Sequence, residues 1–175
     1  VRVVGNRPAT VARMEQFCEA MKGLVRGDPV TYDDRPEPVT FDWTGGYELP
    51  LWVAGYGPKA LAAAGRQGDG LIVQLAEPAL CQWMGDAAKT AGIEAGRDMK
   101  DYRVMACAPV WVGDKETGVA QTKWFPALVG NHIADILKWY GSDTREVPEA
   151  LTAYVQQRKG SGADEGYDYK QHTQM

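Results

Sequence analysis

Apolar residues change their spacing several times along the chain, and each spacing predicts an element. In residues 7–26 they fall at Val11, Met14, Phe17, Cys18, Met21, Leu24 and Val25. Steps of three and four mark one face of a helix. Asn6 is placed to cap it, Pro8 stands in the first turn, and Gly27-Asp28-Pro29 ends it. Residues 28–48 lose that period. Val30-Thr31-Tyr32 and Val39-Thr40-Phe41 are short strand-like runs around Asp33-Asp34-Arg35-Pro36, which predicts a hairpin or an excursion. Then an alternation begins. Residues 49–54 and 70–75 are compact apolar runs, as expected of strands buried on both faces. Residues 58–67 and 78–95 read as helices, 103–112 as a third strand, and 115–140 as one long helix or two.

Strand, helix, strand, helix, strand at this spacing implies parallel strands joined by helical crossovers. The fold class is therefore α/β. Two crossover units are well marked, whereas a closed (β/α)8 TIM barrel needs eight. A partial barrel is expected. The opening Val1-Arg2-Val3-Val4 reads as the end of a strand already under way. Residues 143–175 read as a polar, helical or irregular tail. A single incomplete barrel domain over 1–175 follows, with open edges that would leave the piece poorly stable and inactive by itself.

The chain has 175 residues and a formal net charge of -4. With no basic stripe, nothing points to a nucleic-acid partner or a polybasic membrane patch. No apolar run approaches the roughly 18 residues that span a bilayer. Cys18, Cys81 and Cys107 are too scattered for a disulfide framework or a structural zinc site. A reduced, cytoplasmic setting is expected.

The stretch that carries chemistry is Leu51-Trp-Val-Ala-Gly-Tyr-Gly-Pro-Lys-Ala-Leu. A buried strand ends at Ala54, Gly55-Tyr56-Gly57 follows, and a helix starts at Pro58. Glycine lets a ligand come close to the backbone. The start of a helix carries about half a positive elementary charge. Lys59 adds a full one. Together they suit a phosphate or a carboxylate. The plain alternative is a tight turn with a surface lysine. Gly55, Gly57 and Ala60 also fit a G-x-G-x-x-A dinucleotide fingerprint, which supports a Rossmann-type NAD dehydrogenase. That fold needs an acidic residue at the end of the next strand to hold the ribose. Gln74 stands there, and Glu77 lies beyond the strand, so the NAD reading is disfavoured.

The run from Leu49 to Val73, with its Gly-Pro-Lys loop followed by Ala-Gly-Arg and Gly-Asp-Gly, resembles the fifth-strand to sixth-strand segment of bacterial luciferase-like oxidoreductases. It is most similar to the branch that uses the deazaflavin coenzyme F-420, which includes methylenetetrahydromethanopterin reductase. The Arg7-Pro-Ala-Thr-Val-Ala-Arg-Met-Glu helix and Trp124-Phe-Pro-Ala-Leu-Val-Gly-Asn-His also resemble that branch. The resemblance runs over roughly residues 1–142. It places the chain from about the fourth helix to past the seventh strand of the barrel.

What the resemblance implies is a cofactor site at Ala54, Gly55, Tyr56, Gly57, Pro58 and Lys59, with Gln74 and Leu75 facing the cofactor tail. The cofactor would be F-420, exchanging a hydride with a small organic substrate. The alternative is FMN, used with dioxygen in a monooxygenation. Glu77 stands where some deazaflavin enzymes carry a phosphate-binding lysine, so both cofactors stay open. The family's acid-base residues would lie upstream of Val1, and no catalytic residue is assigned. The full-length protein would be a homo-oligomer. A third possibility is a non-catalytic barrel whose loop holds an anion.

Other residues weigh less. His132 sits at helical spacing and reads more readily as an ordinary helix residue than as a proton donor. His172 falls in the polar tail. Asp69, between two glycines at the start of a strand, reads as a turn cap on the bottom face of a barrel. Asp33-Asp34 reads as a turn and not a metal site. Trp52 and Trp111 in strands, and Trp83, Trp124 and Trp139 in helices, read as core. Trp43 is a candidate for a covering loop.

Overall fold

A computed structural model of the chain describes residues 9–33, 35–75, 77–125 and 129–130. Seven elements follow one another: α1 (Val11–Arg26), β1 (Trp52–Ala54), α2 (Pro58–Gln67), β2 (Gly70–Val73), α3 (Pro78–Glu94), β3 (Arg103–Ala106) and α4 (Lys115–Thr122). Their contacts divide into two compact units. The first holds the described residues up to Ile72 together with Met84–Met105. The second holds Val73–Trp83 and the described residues from Ala106 on.

In the first unit the sheet runs in the order β1-β2-β3. β1 and β2 are parallel, with Trp52 opposite Gly70, Val53 opposite Leu71 and Ala54 opposite Ile72. The crossover between them is α2. A parallel pair joined this way must leave both strands at the same edge of the sheet. The apolar residues that predicted these elements are the ones that pack. Val53, Leu61, Ala63, Ala64, Leu71, Met84 and Ala88 are all buried.

α2 and α3 approach very closely because small residues meet. A Cβ on Gly65 would stand 1.9 Å from the Ala88 carbonyl oxygen. α1 packs against α2. The residues that α1 buries are Cys18, Ala20 and Gly23 and not its whole apolar stripe, since Phe17 is 51% exposed. Polar pairs complete the contact: Arg66 donates to Glu15 at 2.7 Å and Gln67 to Glu19 at 2.7 Å.

Asp69 ties the base of this unit together. Its Oδ2 accepts from the Leu51 N–H at 2.8 Å and pairs with Lys22 Nζ at 3.0 Å. Its Oδ1 accepts from Arg97 at 3.2 Å. Arg97 also donates to the carbonyls of Gly65 and Gly68. Burial pushes the Asp69 carboxyl up, but the Leu51 N–H, Lys22 and Arg97 outweigh it and hold the group below its ordinary value. The role is structural, as its place before β2 implies.

Several expectations are corrected. α1 starts at Val11, and its cap is Thr10, whose hydroxyl accepts from the Arg13 N–H at 3.2 Å. Asn6 and Pro8 lie outside the described residues. β3 ends at Ala106 and does not run on to Val112. Pro109 has no N–H to give to a ladder, so a strand through it is disfavoured. Trp111 is consequently in no strand, and both it and Trp124 are 44% exposed and so not core. Trp43, 79% exposed, stacks on Phe41. Residues 28–48 carry an antiparallel bridge in which Val30 and Val39 exchange both backbone bonds at 2.9 Å. Asp33 takes a left-handed backbone (φ 65) and pairs with Arg13 at 2.8 Å. Asp34, His132, Trp139 and His172 lie outside the described residues.

Candidate functional site

The loop between β1 and α2 lies wholly in the first unit and brings together Ala54, Gly55, Tyr56, Gly57, Pro58 and Lys59. Its two glycines are there for different reasons. Gly55 is buried, and a Cβ on it would stand 3.0 Å from Ala60 Cβ and 3.2 Å from the Ala60 carbonyl carbon. The first turn of α2 therefore needs a bare backbone at 55. Gly57 has an ordinary extended backbone (φ -82, ψ 161), and a Cβ on it would meet nothing within 4 Å. Neither strain nor crowding calls for glycine at 57. What glycine keeps there is open access to the backbone beyond it.

That backbone is the start of α2. Gly57 is the N-cap and offers no side chain, and Pro58 occupies the first turn. The first bond of the helix runs from the Leu61 N–H to the Gly57 carbonyl at 2.8 Å. The N–H groups of Lys59 and Ala60 thus have no helical carbonyl to bond. The other described helices are closed by their own side chains. Thr10 caps α1. Glu77 caps α3, accepting from Ala79 at 3.2 Å and Leu80 at 2.7 Å. Asp114 caps α4, accepting from Thr117 at 2.8 Å, and that bond holds its carboxyl below the ordinary value. At α2 the N-cap residue makes no side-chain cap bond. The Lys59 side chain is exposed, and among the described residues it makes no ion pair.

Gln74 and Leu75 belong to the second unit. The Cys107 N–H donates to the Val73 carbonyl at 2.8 Å, which carries the pairing of β2 and β3 into this unit. Beyond it, Gln74 is exposed and Leu75 is buried. The Leu75 carbonyl accepts from the Cys81 thiol at 3.6 Å. Burial pushes that thiol up, and the Glu77 charge adds to the shift. Glu77, expected to repel a phosphate, is engaged as the cap of α3.

Sequence reading missed a groove of about 350 Å³ in this second unit, lined by residues that include Leu75, Ala108, Pro109 and Phe125. The signal was Pro109. Taken as a strand breaker, it turns residues 107–112 from strand into the rim of a cleft. Among the described residues no cluster of metal-ligating side chains occurs, and no helix is long and apolar enough to cross a membrane.

A family model described as luciferase-like monooxygenase matches residues 2–172. In shape the chain is similar to the solved structure of a coenzyme F-420-dependent tetrahydromethanopterin reductase from Methanopyrus kandleri. The TM-score is 0.60 at 18% identity, over 94% of this chain and 49% of that one. The chain spans about half the length of this solved relative. At that identity the likeness speaks to the fold, a partial barrel with parallel strands and helical crossovers. No curated protein matches the chain.

Proposed function

Because the chain belongs to the luciferase-like monooxygenase family, we propose that it is part of an oxidoreductase whose loop at Ala54 to Lys59 holds the phosphate of a deazaflavin, coenzyme F-420. The family decides against the Rossmann alternative. The single observation that carries the proposal is the uncapped start of α2. The Lys59 and Ala60 N–H groups, the open space at Gly57 and the exposed Lys59 side chain form one cradle of positive potential. Such a cradle fits a phosphate, whose oxygens accept several donors at once.

When bound, F-420 would supply hydride exchange with a carbon of a small organic substrate. The chain's own part is to anchor and orient. The Lys59 and Ala60 amides fix the phosphate, Gly57 leaves the approach open, and Gly55 lets the first turn of α2 sit close to β1. Gln74 and Leu75, following the neighbouring strand, would face the cofactor tail. FMN, with dioxygen as co-substrate, is the second reading, favoured by the family's description as a monooxygenase. The same cradle would take its phosphate.

The test is a fluorescence titration of F-420 and of FMN into the purified protein and into Lys59→Ala. F-420 should bind the more tightly. Loss of one charge-assisted contact should cost about 1.5–3 kcal/mol, or roughly one to two decades in Kd. Equal affinity in Lys59→Ala would remove the loop from the cofactor site, and tighter binding of FMN would exchange the two readings.

A further inference from the structure

We propose that Arg97 is a positioning residue for the loop at Ala54 to Lys59: by gripping the far end of α2, it sets where the Lys59 and Ala60 N–H groups are presented. The proposal rests on the cofactor reading above, because it takes that loop to be the phosphate site.

Arg97 is itself held in place by the turn that closes α3. Gly96 has a left-handed backbone (φ 78), its N–H donates to the Ile93 carbonyl at 2.9 Å, and the Arg97 N–H donates to the Gly92 carbonyl at 3.0 Å. Glycine takes such a turn without a steric cost. From there the guanidinium reaches three groups. Its Nη1 donates to the carbonyls of Gly65 and of Gly68, the C-cap of α2, the second at 2.6 Å. Its Nη2 donates to Asp69 Oδ1 at 3.2 Å. Asp69 in turn accepts from the Leu51 N–H at 2.8 Å, and its own N–H donates to the Leu51 carbonyl at 2.6 Å. Leu51 immediately precedes β1. One guanidinium and one aspartate therefore join the end of α2 to the start of β1, all within the first unit.

The opposite ends of the same two elements carry the loop. α2 has ten residues, a length of about 15 Å. A helix carries a displacement at one end to the other, because its backbone bonds make it a stiff element. Its first turn has little tolerance, since a Cβ on Gly55 would stand 3.0 Å from Ala60 Cβ. Against α3 the contact is bare backbone: a Cβ on Gly65 would stand 1.9 Å from the Ala88 carbonyl oxygen, and one on Gly92 2.9 Å from the Gly65 carbonyl oxygen. Glycines bring the helices close but supply no side chain to stop α2 sliding along its axis. The guanidinium, bonded to the last carbonyls of α2, supplies that stop. Its planar fork meets several acceptors at once, which a lysine ammonium on a flexible stem does not do in the same geometry.

The test is a double-mutant cycle between Arg97→Lys, which keeps the charge and loses the fork, and Lys59→Ala, read by fluorescence titration of F-420. Circular dichroism and urea denaturation accompany each sample. Arg97→Lys should fold and raise the Kd for F-420 roughly tenfold. On that background Lys59→Ala should cost clearly less than it does in the parent, because the displaced loop no longer presents Lys59 to the phosphate. Lys22→Met is the control: Lys22 also pairs with Asp69, at 3.0 Å, but stands in α1. It should lower stability and leave the F-420 affinity unchanged. Where Arg97→Lys does not fold, Arg97→Gln takes its place with the same expectations, and failure of both to fold would overturn the proposal by assigning Arg97 to the fold alone. A folded Arg97 variant that binds F-420 like the parent, effects of Arg97 and Lys59 that simply add, or an equal loss of affinity in Lys22→Met would each overturn it too. In those cases the cofactor reading stands as long as Lys59→Ala weakens F-420 in the parent. A parent that does not bind F-420, or binds it equally well as Lys59→Ala, would remove the cofactor reading and this inference with it.

Discussion

Replacing Gly57 with alanine separates a ligand's needs from the fold's. The backbone there is extended (φ -82, ψ 161), and the new Cβ would meet no atom within 4 Å. Alanine therefore fits the folded chain without strain. The loss of unfolded-state freedom should stabilise by about 0.4–1 kcal/mol. Alanine is a poorer N-cap than glycine, which offsets that gain by a similar amount. Net stability should stay within about 1 kcal/mol of the parent. Cofactor binding should not survive as well. The added methyl would occupy part of the open space at 57 through which the phosphate would have to approach the loop. Losing one charge-assisted bond corresponds to about 1.5–3 kcal/mol, or roughly one to two decades in Kd. Gly57→Val should do more harm, because its branched side chain is larger and stiffer. The assay pairs urea denaturation with fluorescence titration of F-420 on the same samples. A variant that both folds and binds like the parent would show that the open space at 57 serves no ligand. A variant that unfolds would show that the fold needs this glycine for a reason the geometry does not contain.

Other outcomes follow from the packing. Gly65→Ala should destabilise by about 3 kcal/mol or more in urea denaturation, since its Cβ would fall 1.9 Å from the Ala88 carbonyl oxygen and helices cannot part cheaply; a change below about 1 kcal/mol would mean that α2 and α3 are looser than described. Tyr102→Phe should stabilise by about 1 kcal/mol, because the buried Tyr102 hydroxyl has no hydrogen-bond partner among the described residues; a loss of that size would reveal a partner. Asp69 has a folded pKa below its ordinary value, so its contribution is present above about pH 4 and is lost as pH falls through the lower folded value. In acid denaturation followed by circular dichroism, Asp69→Asn should therefore be less stable than the parent at neutral pH, with the difference shrinking toward pH 2; a constant difference would place the contribution elsewhere.

Much of the fold was legible because its signals are local. α2 runs over the predicted residues since Pro58 opens it and Gly68 closes it, and both marks stand in the sequence. The first residues of β2 and β3 were likewise read from apolar runs. Where one local signal was weighed against another, the outcome was less certain. Pro8 favoured an earlier start for α1, but the Thr10 hydroxyl makes the cap. The apolar run 103–112 outweighed Pro109, and the groove was hidden by that choice. What could not be read depends on distance along the chain. Lys22 and Arg97 meet Asp69 across 47 and 28 residues, and no local pattern marks such a pair. The loop at Gly55 to Lys59 was visible as a motif. That Gly57 is free of strain and crowding required coordinates.

The central claim is that the start of α2 holds the cofactor's phosphate, and backbone amide NMR tests it most directly. F-420 added to the isotopically labelled protein should shift the Lys59 and Ala60 amide resonances saturably, with a Kd that matches fluorescence, and inorganic phosphate should move the same resonances more weakly. Saturable binding of F-420 that leaves both amides in place would contradict the account, because the cofactor would then be held without the donors that the uncapped helix provides.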